Sequence, residues 1–379
     1  MDPRTIKHRR AFLAVTALGA SWLACHSEAE PKPATPAPSN AAPGAPAPTA
    51  AALTAVAPEV ASTRINPRLL RRFSPLDNAD AVADPAQLEK VALGRMLFFE
   101  PRLSLKDDLT CNSCHRLDAY GVDNQPTSIG AGGKRGTRNS PTVYHAAVSF
   151  VQFWDGRSPD VEAQAKGPIL NPAEMAMPSA DMVVARLRQM PGYVEAFARA
   201  YPGQSQPVTY DHVGNAIGAF ERGLVTPSRW DDYLRGTESA LNPSELEGLK
   251  VFTDVGCMVC HTGSLLGGNS YQRAGAVKAW GNQNDQGRFQ VTHNPGDKMV
   301  FKVPTLRNVA ETAPYFHDGS IATLPEAVQV MAQHQLGIEL EQQEVTAIVA
   351  WLRSLTGKLP QGYIARPQLP VRAAGKDHT

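Results

Sequence analysis

The sequence predicts a mostly α-helical protein with two related domains, on three observations. Apolar residues recur at helical spacing along the body of the 379-residue chain, and no alternating β-strand pattern repeats. The pattern Cys-x-x-Cys-His occurs twice, at residues 111–115 and 257–261, and uses four of the five cysteines. Each copy follows or ends a helical pattern, so we expect one small helical domain around each copy.

Residues 1–25 are predicted to be an export signal. The basic start MDPRTIKHRR precedes the apolar stretch AFLAVTALGASWLAC, which ends in small residues. Leu23 and Ala24 before Cys25 resemble a lipoprotein cleavage site, and the alternative is a cleaved soluble form. Both forms place the protein in the periplasm, and a lipid on Cys25 would tether it to a membrane.

Residues 26–64 are predicted to form a linker. Eight prolines and eleven alanines occur between residues 31 and 60. Such a segment cannot bury a core and forms a semi-extended spacer.

Composition argues against nucleic-acid binding and against a membrane span in the body of the chain. The formal net charge of +1 provides no field that would attract nucleic acid. The body contains no run of 18 or more apolar residues, so the sequence predicts no internal membrane span.

Apolar stripes predict the helices of the body in chain order. The stripes are Leu88, Ala92, Met96 and Phe99, then Val213, Ile217, Phe220 and Leu224, and last Val345, Ile348, Val349, Leu352 and Leu355. Asn242 and Glu245 have the spacing of a capping box. Thr323 and Glu326 share that spacing. Gly357 is predicted to stop the last helix.

The domain boundary is predicted where polar and turn-forming residues interrupt the helical patterns, in YLRGTESALNPSE at 233–245. We therefore predict an N-terminal domain at 65–238 and a C-terminal domain at 239–365. Residues 366–379 are then a tail.

Cys-x-x-Cys-His is the attachment sequence of c-type haem. The two thiols bond to the haem, and the adjacent histidine reaches its iron. A zinc site would leave the repeated histidine unexplained, and a redox disulfide would lack its usual βαβ context. We predict two covalent haems, one on Cys111, Cys114 and His115, the other on Cys257, Cys260 and His261.

The sixth iron position decides what each haem can do, because methionine suits electron transfer and an open position suits peroxide chemistry. Spacing alone leaves four candidates for the C-terminal iron: Met331, His334, His317 and Met299.

Longer stretches of the body resemble the bacterial di-haem cytochrome c peroxidases, whose superfamily includes the MauG-type enzymes. These stretches are LGRMLFFEPRLS, RNSPTVYHAA, FWDGR, EAQAKGPILNPAEMAM, FKVPTLRNV and APYFHDGSIATLPEAVQVM. The resemblance covers about residues 85–357. It implies two cytochrome c-like domains with one haem each.

The resemblance also implies separate roles for the two haems. The N-terminal haem would reduce hydrogen peroxide, and the C-terminal haem would accept electrons from a small donor, a cytochrome c or a cupredoxin. In the family, the methionine ligand of the C-terminal iron lies twelve residues after the glycine of FHDG. That glycine is Gly319, so the matching residue is Met331. MauG-type enzymes have tyrosine there.

Three further residues match functional positions of the family. Trp154 matches a tryptophan between the two haems, which implies an electron relay. Glu174 and Gln164 match polar residues beside the peroxidatic haem. A carboxylate there can move a proton between the two oxygens of peroxide.

A calcium site between the domains is implied by the same resemblance. Asn139, Thr312 and Pro314 match its ligands. They would supply one side-chain amide oxygen and two main-chain oxygens, which are ligands that Ca²⁺ prefers.

The stretch PTSIGAGGKRGTRNSPT departs from the family. The peroxidases usually have a histidine at the position of Ala131, and it binds the peroxidatic iron in the fully oxidised form. Alanine offers no lone pair to iron. His145 is another histidine in this region and is left open as a substitute. MauG-type enzymes also lack this ligand.

The sequence therefore supports an exported peroxidase that uses a small electron donor. Two alternatives stay open: MauG-like oxidation of a side chain on a partner protein, and a non-catalytic di-haem electron carrier. Met331 favours the peroxidase, whereas Ala131 is compatible with both enzymes. A homodimer is also compatible with the sequence.

Overall fold

Residues 65–76 and 85–372 are described by the computed structural model, apart from the side chains of residues 85 and 86. The predicted signal, the lipid anchor at Cys25 and the whole predicted linker lie outside these residues. None of the helices in the described ranges is both long and apolar enough to cross a membrane.

The described chain is mostly helical, as the sequence predicts. Its α-helices are α1 Pro67–Leu70, α2 Pro85–Phe98, α3 Cys111–Cys114, α4 Val161–Leu170, α5 Ala180–Arg188, α6 Pro191–Ala200, α7 Tyr210–Glu221, α8 Arg229–Leu234, α9 Pro243–Asp254, α10 Phe289–Thr292, α11 Leu324–Met331, α12 Gln342–Ser354 and α13 Gln361–Ile364. Strands β1 Tyr271–Arg273 and β2 Val300–Lys302 pair antiparallel, with Tyr271 opposite Lys302.

The apolar stripes form the buried faces of α7 and α12. Val213, Ile217 and Phe220 of α7 are inaccessible to solvent. In α2 the predicted stripe is not the buried face, because Leu88 is 53% exposed and Ala92 is exposed as well. The buried residues of this helix are Leu93, Leu97 and Phe98. The predicted capping box of α9 is present, since the Asn242 side chain accepts from the N–H of Glu245 and the Glu245 carboxylate accepts from the N–H of Asn242.

The two halves use the same close helix crossing. A Cβ atom on Gly94 of α2 would lie 1.8 Å from the carbonyl oxygen of Ala216 on α7. A Cβ atom on Gly248 of α9 would lie 1.9 Å from the carbonyl oxygen of Ala347 on α12. Only glycine permits such backbone contact. This repeated crossing is local evidence that the halves are related.

Each crossing lies in its own hydrophobic core. The first core contains α2, α6 and α7, with Phe98 packed edge-on against Phe220 at 5.4 Å between ring centroids. The second contains α9, α11 and α12, with Phe252 against Trp351 at 4.5 Å.

Residues near the two ends of the described chain pack on the opposite half. Ile65 and Phe73 belong to the second core, whereas Ile364 belongs to the first. Gly357 lies beyond the end of α12, and a Cβ there would lie 2.0 Å from the carbonyl oxygen of Thr226. Gly357 is therefore required by contact between the halves, in addition to lying near a helix end.

Candidate functional site

One cavity of about 740 Å³ joins the two Cys-x-x-Cys-His segments. It is lined by twelve of the thirteen residues that the sequence singled out for haem, catalysis or calcium: Cys111, Cys114, His115, Asn139, Trp154, Gln164, Glu174, Cys257, His261, Thr312, Pro314 and Met331. The thirteenth, Cys260, does not line it. The fold thus collects residues that are far apart in sequence around one space.

The first segment forms the short helix α3, and His115 follows as its C-terminal cap. Nδ1 of His115 lies 3.3 Å from the carbonyl oxygen of Gly121. Burial lowers the pKa of His115, which favours the neutral imidazole that binds metals. With Nδ1 donating to the backbone, Nε2 keeps its lone pair for a metal.

The second segment reproduces this arrangement with a different backbone. Gly256 has φ of 99°, which turns the chain sharply after α9 and starts a 3₁₀ turn at Cys257–Val259. Nδ1 of the buried His261 lies 2.9 Å from the carbonyl oxygen of Leu266. Burial lowers the pKa of His261 as well.

The four cysteines of the segments fit haem attachment better than either alternative chemistry. All four are free thiols, so neither pair forms a disulfide in the structure. Within residues 65–76 and 85–372, no group of three or more His, Cys, Asp or Glu side chains could hold a metal ion such as zinc. Burial raises the pKa of the Cys257 thiol to about 12.

Met331 is the candidate sixth ligand that faces the cavity. It ends α11, and neighbouring apolar residues Ala327, Val328 and Ala332 line the same wall. The other three candidates lie elsewhere. Half-buried His334 lies with Nδ1 2.8 Å from the carbonyl oxygen of Lys278. Met299 and His317 belong to a separate aromatic cluster around Phe301.

The polar side of the cavity lies at the end of α4. Gln164 is on this helix, and Glu174 follows it in a loop. Nδ2 of Asn171 donates to Oε1 of Glu174 at 2.8 Å. Burial raises the pKa of Glu174, opposed by the charge of Arg157 and the Asn171 hydrogen bond. A half-buried carboxyl with a raised pKa holds its proton to higher pH than an exposed one, and a carboxyl can both accept and donate a proton.

Trp154 lies where the halves meet. Its Nε1 donates to the carbonyl oxygen of Asn139 at 2.9 Å. Its own carbonyl oxygen accepts from the N–H of Lys302 on β2 at 2.8 Å. His317 from the second half lies 6.4 Å from it, between ring centroids. Backbone and side chain thus both fix Trp154 at the junction of the halves.

The residues implied for calcium also lie at this junction. Nδ2 of Asn139 donates to the carbonyl oxygens of Gln125 at 3.0 Å and Pro126 at 3.4 Å. The amide orientation leaves its Oδ1 available as an acceptor. Thr312 and Pro314 line the cavity from the other half. Amide and main-chain oxygens are suitable Ca²⁺ ligands.

Ala131 lies in a short hairpin in which Ile129 bridges Arg135. The N–H of Ala131 donates to the carbonyl oxygen of Glu174 at 2.7 Å. A Cβ on neighbouring Gly130 would lie 2.0 Å from the carbonyl oxygen of Ala173. The hairpin is therefore packed directly against the loop that carries the polar residue.

His145 lines the cavity but is already engaged. Its Nε2 lies 3.0 Å from Oγ1 of Thr226, and Nδ2 of Asn308 lies 3.4 Å from the same nitrogen. Its Nδ1 is buried without a hydrogen-bond partner among the described residues. Burial and the charge of Arg307 lower its pKa to about 3, so the imidazole is neutral.

Comparison with known proteins follows the same division into halves. The family model for di-haem cytochrome c peroxidase matches residues 88–239, and the cytochrome c model matches residues 246–356. The cytochrome c551 peroxidase of Nitrosomonas europaea is 48% identical over 280 residues, which cover 73% of this chain and 82% of that protein. The chain belongs to the di-haem cytochrome c peroxidase family. As a member of this family it is a peroxidase-type oxidoreductase with two haem c groups, as the sequence predicts.

Two further relatives span most of the di-haem body. The cytochrome c551 peroxidase of Pseudomonas aeruginosa is 43% identical over 327 residues, covering 80% of this chain and 94% of that protein. The crystal structure of a MauG-like protein associated with microbial copper homeostasis superposes with a TM-score of 0.68 and 28% identity, covering 78% of this chain and 96% of that one. Both branches of the superfamily are thus similar to this chain.

Sequence reasoning missed five charged residues that line the cavity, namely Arg138, Asp155, Arg157, Glu221 and Lys302. Glu221 is buried at the end of α7, and burial raises its pKa to about 8. Glu221 directly follows Phe220 of the buried α7 stripe, and this position in the sequence could have predicted its burial. Lys302 stands within the quoted stretch FKVPTLRNV, but nothing in its local pattern predicts a cavity position.

Proposed function

We propose that the protein reduces hydrogen peroxide to water at the N-terminal haem, with electrons received through the C-terminal haem. One observation carries the proposal: Glu174 and Met331 line the same cavity, each in the half that its role requires. The donor would be a small periplasmic cytochrome c or cupredoxin. The predicted signal at residues 1–25 supports the periplasmic location, with Cys25 as a lipid tether.

The chain's own contribution to peroxide cleavage is proton transfer. When bound, the N-terminal haem supplies an iron that binds peroxide and delivers electrons to it. The Glu174 carboxylate accepts a proton from one peroxide oxygen and donates it to the other, which then leaves as water. Two electrons and two protons per peroxide give two waters. Gln164 is positioned to hold the peroxide by hydrogen bonding.

The proposed electron path runs through the junction of the halves. Met331 would complete the C-terminal iron site and raise its reduction potential, since thioether ligands favour the reduced iron. Trp154, fixed between the halves by two hydrogen bonds, would carry electrons across. His115 and His261 would bind the irons through Nε2.

We also propose a calcium ion at the junction, held by Asn139, Thr312 and Pro314. The free amide oxygen of Asn139 supports this site. Because the main-chain oxygen of Asn139 accepts the Trp154 hydrogen bond, the ion would stabilise the tryptophan that lies on the electron path.

Steady-state turnover tests the proposal. The haem-loaded protein, supplied with reduced cytochrome c or reduced cupredoxin, should oxidise two donor molecules per peroxide consumed. A haemochrome assay should count two covalent haems per chain. Two haems without peroxide turnover by either donor would instead support a non-catalytic electron carrier.

A second candidate is MauG-like oxidation of a side chain on a partner protein. It is favoured by Ala131, which offers no ligand to the N-terminal iron, and by the likeness to a MauG-like structure. Met331 counts against it, because the MauG-type enzymes are expected to have tyrosine there. Peroxide consumption that requires a protein substrate and ignores reduced donors would favour this candidate.

A further inference from the structure

Lys302 is a cation that lines the haem cavity with no acidic partner in the described protein. It ends β2, and its backbone N–H is held by the carbonyl oxygen of Trp154 at 2.8 Å. Within residues 65–76 and 85–372, no carboxylate oxygen lies within 4.0 Å of its Nζ, and Nζ makes no hydrogen bond. The position is therefore fixed by the sheet, whereas the charge is left uncompensated.

The other cavity cations differ from Lys302 in this respect. Arg138 donates to Asp155 and to Asp285, each at 2.6 Å. Arg157 donates to Asp155 at 3.1 Å. Both guanidinium groups thus have carboxylate partners within the protein. Burial alone lowers the pKa of Lys302 to about 8, and no neighbouring acid opposes that change.

Lys302 is half-buried at the cavity wall. A group that fills the cavity would desolvate its ammonium further, which is unfavourable unless an anion binds beside it. The two haems bring anions to this cavity. Haem c reacts with cysteine through its vinyl groups, so its two propionate carboxylates remain free to pair with protein cations. The lysine is held beside Trp154, at the junction of the halves.

We propose that Lys302 binds a haem propionate at the Trp154 junction and thereby sets the reduction potential of that haem. A cation paired with the propionate cancels its negative charge, which would otherwise stabilise the oxidised iron. Lys302 acts through the propionate and is a positioning residue. The inference depends on the two haems and is independent of peroxide turnover.

Spectroelectrochemical titration of the haem-loaded protein tests this role. In Lys302→Met the equilibrium constant for reduction of one haem should fall about tenfold, which lowers the reduction potential of that haem by about 59 mV for one electron. The unpaired propionate should then titrate at higher pH, so this potential should fall as pH rises near neutrality. Lys302→Arg keeps the charge and should retain the wild-type potential. Lys358→Met, at an exposed site outside the cavity, controls for loss of charge.

Several outcomes would overturn the proposal. Potentials in Lys302→Met that match those of Lys358→Met would show that the lysine holds no propionate. Equal shifts in Lys302→Met and Lys302→Arg would indicate packing. A wild-type potential that depends on added inorganic phosphate, with the variant insensitive, would assign the site to a free anion. If Lys302→Met fails to retain two haems, Lys302→Gln is measured in the same way. Absence of peroxide turnover in the wild type would contradict the proposed function but leave this comparison intact.

Discussion

The backbone N–H of Ala131 donates a 2.7 Å hydrogen bond to the carbonyl oxygen of Glu174. This contact ties the hairpin in which the related peroxidases usually have an iron-binding histidine to the loop of the proposed proton-transfer residue. Ala131 brings no lone pair into the site. His145, the substitute considered from sequence, has its Nε2 engaged by Thr226.

The N-terminal haem should therefore be open to ligands when both irons are oxidised. We expect the oxidised protein to show a high-spin signal beside a low-spin haem and to bind cyanide without prior reduction. Ala131→His should make the N-terminal haem low-spin and make activity depend on prior reduction. Ala131→Gln, which adds bulk without an imidazole, is the matched control. Electron paramagnetic resonance and cyanide titration provide the measurements.

A closed N-terminal iron site in the oxidised protein would contradict this prediction. An oxidised wild-type protein in which both haems are low-spin and inert to cyanide would mean that another side chain closes the iron. His145 would then be the first residue to replace, because its buried Nδ1 has no partner among the described residues. His145→Leu would be expected to restore the high-spin signal.

Glu174→Gln should reduce peroxide turnover while leaving both haems attached. The amide keeps the size of the side chain but cannot transfer the proton, so a loss of about 10²–10⁴-fold is expected. Turnover is measured with a reduced donor at saturating peroxide, and the haemochrome assay counts haems. Glu195→Gln, at an exposed position on α6, should retain wild-type activity. Wild-type turnover in Glu174→Gln would assign the proton transfer to another group.

Arg157 should set the pH at which activity is lost on the acid side. Burial raises the pKa of Glu174, and the positive charge of Arg157 lowers it. Arg157→Gln removes that charge, so the pKa of Glu174 should rise further. Since the carboxylate form accepts the proton, the acid limb of the pH profile should move to higher pH. Arg157→Lys retains the charge and should leave the limb near its wild-type position. An unchanged limb in Arg157→Gln would show that Glu174 does not control it.

Met331→His should lower the potential of the C-terminal haem, because imidazole stabilises oxidised iron more than a thioether does. The weak near-infrared sulfur-to-iron band of the oxidised protein should disappear. Met299→Leu removes a methionine from the aromatic cluster outside the cavity and should keep both properties. Loss of the band in Met299→Leu, with Met331→His unchanged, would reverse the assignment.

Local patterns sufficed for much of the fold and for haem attachment. The Cys-x-x-Cys-His segments predict the sites of haem attachment from five consecutive residues. The stripes of α7 and α12 predict the buried faces of those helices from residues three or four positions apart. Lys302 and the hydrogen bond of Ala131 depend on contacts between distant segments, so no local pattern contains them. Gly357 shows the same limit, because its sequence position suggests a helix stop whereas its packing against Thr226 gives the stronger constraint. The predicted limits of the two domains stay predictions.

Calcium removal should slow electron transfer between the haems. Asn139 connects the proposed ion to Trp154, because its main-chain oxygen accepts the indole N–H at 2.9 Å while its side-chain oxygen is free for the metal. Without the ion, the oxygen ligands from the two halves would lose the cation that joins them, and Trp154 would lose part of the support that fixes its position.

We expect chelator-treated protein to show slower oxidation of the C-terminal haem after peroxide is added, with both haems still attached. Added Ca²⁺ should restore the rate, whereas Mg²⁺ should not, since it requires shorter distances and near-octahedral geometry. Asn139→Leu should reproduce the slow phase and abolish the response to Ca²⁺. A rate that is insensitive to chelator in the wild type, with no Ca²⁺ found by elemental analysis, would exclude the ion from this junction.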